Sequence, residues 1–140
     1  MILADYHLHT SFSSDSESPM EEMIRHAISL GLKTICFTEH HDIDYPVTPD
    51  GFDFLLDLPS YKEEIFKMKE HYQDQIEINY GVELGLMPTT LDQCAAFVKD
   101  EPFDFIIGST HIVDFMDPYD AIYFETYPAV WDLLIILKIS

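Results

Sequence analysis

The sequence predicts an α/β fold built on parallel strands, and three observations lead there. Apolar runs of strand length alternate with stretches of helical spacing along most of the chain. Alternation of this kind gives parallel strands joined by right-handed helical crossovers. The strand-like runs also end, one after another, in histidine or glutamate. In α/β sheets and barrels, functional sites form at those C-terminal strand ends. Finally, 140 residues with 47% hydrophobic and 14% aromatic content suffice for one domain with a packed core, which excludes a disordered chain.

The first strand falls at residues 2–6. Ser18-Pro19-Met20-Glu21 then predicts a helix start, with serine as N-cap, proline as first helical residue, and Glu21 and Glu22 at the positive helix end. Met20, Met23, Ile24, Ala27 and Ile28 keep helical spacing, and Gly31 ends the helix as a C′ residue. Residues 33–38 form the second strand. A loop rich in Pro, Asp and Gly covers 42–59. Pro59-Ser60 opens a second helix, whose apolar side holds Tyr61, Ile65, Phe66 and Met68. A third strand at 76–82, a third helix at 90–98 and a fourth strand at 103–108 complete the pattern. The tail at 130–140 is apolar almost all round and fits an amphipathic helix poorly. There is no internal repeat and no low-complexity tract.

Charge narrows the partners. Seven Lys and Arg against 26 Asp and Glu give a formal charge of -19. That field repels nucleic-acid backbones and anionic membranes unless bound metal reverses its local sign. Arg25 is the sole arginine, so no multi-arginine phosphate clamp can form. Cys36 and Cys94 are far apart; Cys36 reads as a small buried hydrophobe, and nothing suggests a disulfide framework. No signal-peptide pattern and no apolar stretch of roughly 20 residues is present, so a cytoplasmic setting is expected.

Chemistry gathers at the strand ends. Strand one ends in His7-Leu8-His9, strand two in Glu39-His40-His41-Asp42, strand three in Glu83, and strand four, through Ser109-Thr110, in His111. Residues two apart on an extended chain point to one side, so His7 and His9 can bind one ion together. One H-x-H is a weak signal, but with His40, Glu83 and His111 on the same rim it predicts a metal site. Imidazole and carboxylate donors suit zinc, iron or manganese. The rim has no thiolate, which argues against a structural zinc knuckle. Glu83 is the natural bridge between two ions.

The remaining polar residues divide. Asp15, in the polar loop beyond His9, is either a ligand or a solvated loop acid. His41 diverges from its neighbour His40 and reads as a third kind of residue: ligand, substrate contact or neither. Glu39 is expected to position its neighbours rather than ligate. His26 and His71 fall on polar helix faces, and Asp114 and Asp117 read as loop acids.

These segments carry a family resemblance. Asp5-Tyr6-His7-Leu8-His9-Thr10, Phe37-Thr38-Glu39-His40, Gly81-Val82-Glu83 and Gly108-Ser109-Thr110-His111 resemble, in order, the motifs of the PHP (polymerase and histidinol phosphatase) superfamily. Within it, the run from His7 to Ser13 and the segment ending in His111 are most similar to the histidinol-phosphate phosphatases. The resemblance implies a distorted seven-stranded β/α barrel with a trinuclear centre of divalent ions on its C-terminal rim. It implies that His7, His9 and Glu83 hold one ion, that Asp15 and His40 contribute to a second, and Glu83 and His111 to a third. Asp15, His40 and Glu83 are the residues it implies for catalysis. Its second motif more often reads Thr-Asp-His, and Glu39 departs from that in length but not in charge.

Downstream family motifs, a later histidine and an Asp-x-His, do not occur in this sequence. Residues 1–140 are therefore expected to form a single domain corresponding to the N-terminal part of such a barrel, about its first four βα units. The implied reaction is hydrolysis of a small phosphorylated substrate, L-histidinol phosphate, in histidine biosynthesis. Another phosphoesterase of the superfamily, such as a nuclease, is the alternative. A non-catalytic metal-binding module is a third reading. An incomplete barrel has open sheet edges, which predict self-association or pairing with a C-terminal half, and little activity from the chain alone.

Overall fold

The computed structural model describes residues 2–46, 51, 54–118 and 121–126. The apolar tail at 130–140 and part of the 42–59 loop lie outside the described residues. Strands and helices alternate as β1 (Ala4–Leu8), α1 (Met20–Ser29), β2 (Thr34–His41), α2 (Leu58–Tyr72), β3 (Glu77–Gly85), α3 (Leu91–Lys99), β4 (Phe105–Ser109) and α4 (Ala121–Thr126). All three strand pairings are parallel, in the order β1-β2-β3-β4. This is the α/β alternation the sequence predicts.

The sheet is curled. Strands are spaced by about 4.8 Å, so β1 and β4 would stand well apart in a flat sheet. Yet the rings of Tyr6 in β1 and Phe105 in β4 meet edge-on at 5.2 Å, and the Tyr6 hydroxyl accepts a hydrogen bond from Asn79 of β3 at 3.0 Å. These side chains share the concave face. The convex face carries the core. Ile35 and Phe37 of β2, and Ile78, Tyr80, Val82 and Leu84 of β3, pack with Ile24, Tyr61, Ile65 and Met68 from the helices. Burying each large apolar side chain stabilises the fold by about 1.5–3 kcal/mol. Tyr61 secures the layer, its hydroxyl 2.9 Å from the Phe37 carbonyl oxygen and 3.0 Å from that of Gly81. The result is an arc of a β/α barrel with helices outside.

Several boundaries differ from the sequence reading, each for a physical reason. The β2–β3 ladder continues to the pair His41–Leu84. Glu39, His40 and Glu83 therefore lie within the last residues of their strands, not beyond them. Polar residues hid this extension, because strand recognition rested on apolar runs. Ser18 was expected to cap α1, but Pro19 occupies the cap and no side chain serves there. At α2 the cap is Asp57, whose carboxylate accepts from the Ser60 amide at 3.4 Å and the Ser60 hydroxyl at 2.7 Å. Gly31 has φ +81° after α1, the left-handed conformation expected of a C′ glycine. The short α4 was not foreseen. Among the described residues no helix is long and apolar enough to cross a membrane, and both cysteines are free and buried.

Candidate metal centre

A bulge in β1 starts the site. Asp5 pairs with Ile35 and Leu8 with Phe37, so two residues, Tyr6 and His7, oppose the single residue Cys36. Strict alternation would send His7 to the convex side once Tyr6 faces inward. The extra residue shifts the phase, so Leu8 packs on the core while His7 and His9 turn toward the concave side. On β2 and β3 no correction is needed. His40 pairs directly with Glu83, and both occupy the concave set of positions.

Glu83 is the hub. Its carboxylate is 2.8 Å from His7 Nε2, 3.2 Å from His9 Nε2 and 3.6 Å from His40 Nδ1, all at Oε2. Its Oε1 meets His111 Nε2 at 3.0 Å and accepts from the Ser109 hydroxyl at 2.5 Å. Burial pushes the Glu83 pKa up, but hydrogen bonds from His111, His9, Ser109 and His7 outweigh it and hold the carboxyl far below its usual range. His40 faces two ways, with Nε2 3.5 Å from Asp15 Oδ2. Burial lowers the His40 pKa and nearby His9 adds to this. His111 is pushed up to about 10, first by its hydrogen bond to Asp42 and then by that to Glu83.

Ser13 organises the histidines from behind. Its hydroxyl donates to Glu39 Oε2 at 2.6 Å and accepts from the His40 amide at 3.0 Å. With its one proton committed, that oxygen can only accept from His9 Nδ1, 3.3 Å away. This makes Nδ1 the donor to Ser13, so that a neutral His9 ring would offer its Nε2 lone pair to an ion placed between it and Glu83. Glu39 is fully buried and also accepts from the Thr10 amide and hydroxyl. Burial raises its pKa, and the bonds from Ser13 and Thr10 offset only part of that. Its side chain joins the 10–13 loop to β2, the positioning role expected of it.

The donors fit divalent metal. His7, His9 and Glu83 form one group able to hold an ion, and His40, Glu83 and His111 form another. His40 Nδ1 is buried with no hydrogen-bond partner while facing the shared carboxylate. A buried nitrogen without a partner is costly, and an ion at that point would satisfy it. The surrounding cavity, about 650 Å³, is also lined by Asp15, Asp42, Tyr45, Phe54, Thr110, Asp117 and Pro118.

All six residues anticipated as ligands, His7, His9, Asp15, His40, Glu83 and His111, line this one cavity. His41 does not. Its ring stacks on Phe97 at 3.7 Å and its Nδ1 accepts from the Leu56 amide, because alternation turns it to the convex side. His26 and His71 are exposed, as expected. Asp117, read as a loop acid, instead lines the cavity and accepts from the Tyr45 hydroxyl at 2.5 Å. Asp42, Ser13 and Ser109 were missed. Counting two residues on from His40 would have placed Asp42 on the same face.

The molecule thus falls among β/α-barrel proteins with a histidine–carboxylate donor cluster at the strand ends. Residues 5–138 match the family model described as PHP domain, and the chain belongs to that family. It is 39% identical to a histidinol-phosphatase of Lactococcus lactis over 84% of this chain and 42% of that protein. A Clostridium acetobutylicum protein named a probable histidinol-phosphatase is 32% identical over 89% of this chain and 45% of its own length. The chain thus spans less than half the length of these curated relatives. The solved L. lactis histidinol phosphate phosphatase, complexed with zinc, L-histidinol and phosphate, superposes with a TM-score of 0.79 over 84% of this chain and 43% of that one.

The two adjacent histidines give a clean comparison. His40→Gln is expected to lower the divalent-metal content of the purified protein, whereas His41→Gln leaves it unchanged. Elemental analysis of both variants checks this, and equal metal loss in the two would contradict the assignment.

Proposed function

We propose that this chain supplies the metal-binding rim of a metal-dependent phosphomonoester hydrolase acting on L-histidinol phosphate, in cytoplasmic histidine biosynthesis. The observation that carries the reading is the convergence of four imidazoles on the buried Glu83 carboxylate, with His40 Nδ1 left for an ion. The L. lactis relative, solved with zinc, L-histidinol and phosphate, supports the substrate. His7, His9 and Glu83 would hold one ion, Asp15 and His40 contribute to a second, and Glu83 and His111 to a third. Zinc, manganese or iron suits these donors. When bound, such ions supply Lewis acidity toward the phosphoryl oxygens and bring the pKa of water toward about 7.

The chain's own residues set the geometry. Glu83 presents one oxygen toward His7, His9 and His40 and the other toward His111, so it would be shared between two ions held by these donors. Ser13 holds His9 in the tautomer whose Nε2 can ligate. Asp15 and His40 face each other across the cavity wall, where the attacking water and the ester phosphate would meet. Tyr45 and Phe54, in ring contact with each other, wall the same space. Hydrolysis breaks the phosphorus–oxygen ester bond. Water supplies the new oxygen on phosphorus and the proton on the departing alcohol. With a charge of -19 the chain disfavours long nucleic acids, so a small phosphate ester is the fitting substrate.

Association through the sheet edges belongs to the same reading. Ile2, Leu3 and Ile106, in or beside edge strands β1 and β4, are exposed apolar residues of the kind a partner strand covers.

Purified protein with added zinc or manganese is expected to retain metal, and the small phosphate release expected of the chain alone to be faster from histidinol phosphate than from an oligonucleotide. Glu83→Gln is expected to lose metal and to lose activity by more than about 100-fold, beyond what an outer hydrogen-bond partner costs. Faster oligonucleotide turnover, or full activity in Glu83→Gln, would overturn the proposal. Light scattering is expected to show species larger than one chain, and a clean monomer would contradict the edge association.

A further inference from the structure

We infer that Asp42 is a positioning residue that fixes the His111 ring for metal, in a space that Gly85 keeps open. The inference rests on the metal-dependent reading above. His111 lies just beyond β4, in a segment without regular structure, so its ring needs a side-chain anchor. Asp42 Oδ2 stands 2.7 Å from His111 Nδ1, on the side of the ring opposite Nε2, which meets Glu83 at 3.0 Å. A carboxylate on one imidazole nitrogen fixes the tautomer and ring plane, and leaves the other nitrogen directed at the ion.

Asp42 is itself tightly held. It follows His41 at the end of β2, two residues on from His40, and so returns to the concave face. It is 4% exposed, and its amide donates to the Phe54 carbonyl at 2.9 Å. Its Oδ1 is buried with no hydrogen-bond partner. Leaving a carboxylate oxygen so is costly, which is consistent with a placement dictated by the oxygen facing His111.

Gly85 is the second, independent observation. It follows Leu84, the partner of His41, so it stands opposite Asp42 at the end of the β2–β3 ladder. A Cβ at position 85 would lie 2.5 Å from Asp42 Cγ and 2.6 Å from Oδ1. Positive φ occurs only at Gly31 and Gly51 among the described glycines, so backbone freedom is not what position 85 requires. What it requires is room for the carboxylate. Any side chain there would drive Asp42 off His111 without touching a metal donor.

The test measures zinc affinity by competition with a chromophoric chelator, and the visible spectrum of the cobalt-loaded protein. It compares wild type, Asp42→Ala, Asp42→Asn, Gly85→Ala and the double variant that combines Asp42→Ala with Gly85→Ala. Circular dichroism verifies the fold of each. Asp42→Ala and Gly85→Ala are each expected to weaken zinc binding about 10–100-fold and to alter the cobalt spectrum. Asp42→Asn, which keeps an acceptor oxygen, should retain more affinity than Asp42→Ala. The double variant should bind no more weakly than Asp42→Ala, because the two changes act through one contact. Equal zinc affinity in wild type and Asp42→Ala would overturn the positioning role alone. So would a Gly85→Ala loss that persists undiminished in the Asp42→Ala background. Wild-type protein that binds no zinc would overturn the metal reading and this inference together.

Discussion

One buried carboxylate governs the rim. Glu83 sits in a central strand, with β2 and β4 on either side. It is 2% exposed, and a carboxylate in that position is unfavourable unless donors or cations surround it. Here the surroundings come from every strand of the arc: His7 and His9 from β1 and its exit, His40 from β2, and Ser109 and His111 from β4 and its exit. The curl of the sheet makes this convergence possible, since a flat sheet would hold the β1 and β4 contributions far from one another. Glu83 thus joins fold to chemistry. The same geometry that satisfies its charge assembles the two donor groups.

The supporting residues act from behind the donors. Glu39 and Ser13 hold His9 and the His40 backbone, while Asp42 approaches His111. Glu39 spans from β2 to the Thr10 amide and hydroxyl and the Ser13 hydroxyl, so its buried carboxylate meets donors at both oxygens. The chain's large negative charge fits the same picture. Under the proposed function, an acidic protein would meet an anionic phosphate ester through bound cations, which would invert the sign of the potential locally.

Much of this was legible in the sequence. Alternating apolar runs revealed four strands and the helices between them, and ligand-type residues at successive strand ends indicated one face. His7, His9, His40, Glu83 and His111 could be placed on that face because strand direction is inherited from the α/β pattern. Other features had no local signal. The β1 bulge depends on pairing with β2, and nothing in Asp5-Tyr6-His7-Leu8 alone reveals it. His41 was expected to diverge from His40, but its partner, the Phe97 ring of α3 on which it stacks, comes from a distant helix and had no local signal. Asp117 reaches the cavity just after the turn closed by the Val113–Met116 bridge, in which Asp114 and Phe115 adopt positive φ, a loop path that composition does not encode. Gly85 matters through space alone, which becomes visible only once Asp42 is in place.

The central claim is that Glu83 is shared by metal ions and is not simply a carboxylate paired with histidines. Crystals grown with zinc and measured on both sides of the zinc absorption edge test it directly. The account predicts anomalous peaks at about 2.0–2.2 Å from Glu83 oxygens, with His7 and His9 on one ion and His111 on another. A map without such peaks, in which the four imidazoles still contact Glu83 directly, would contradict it.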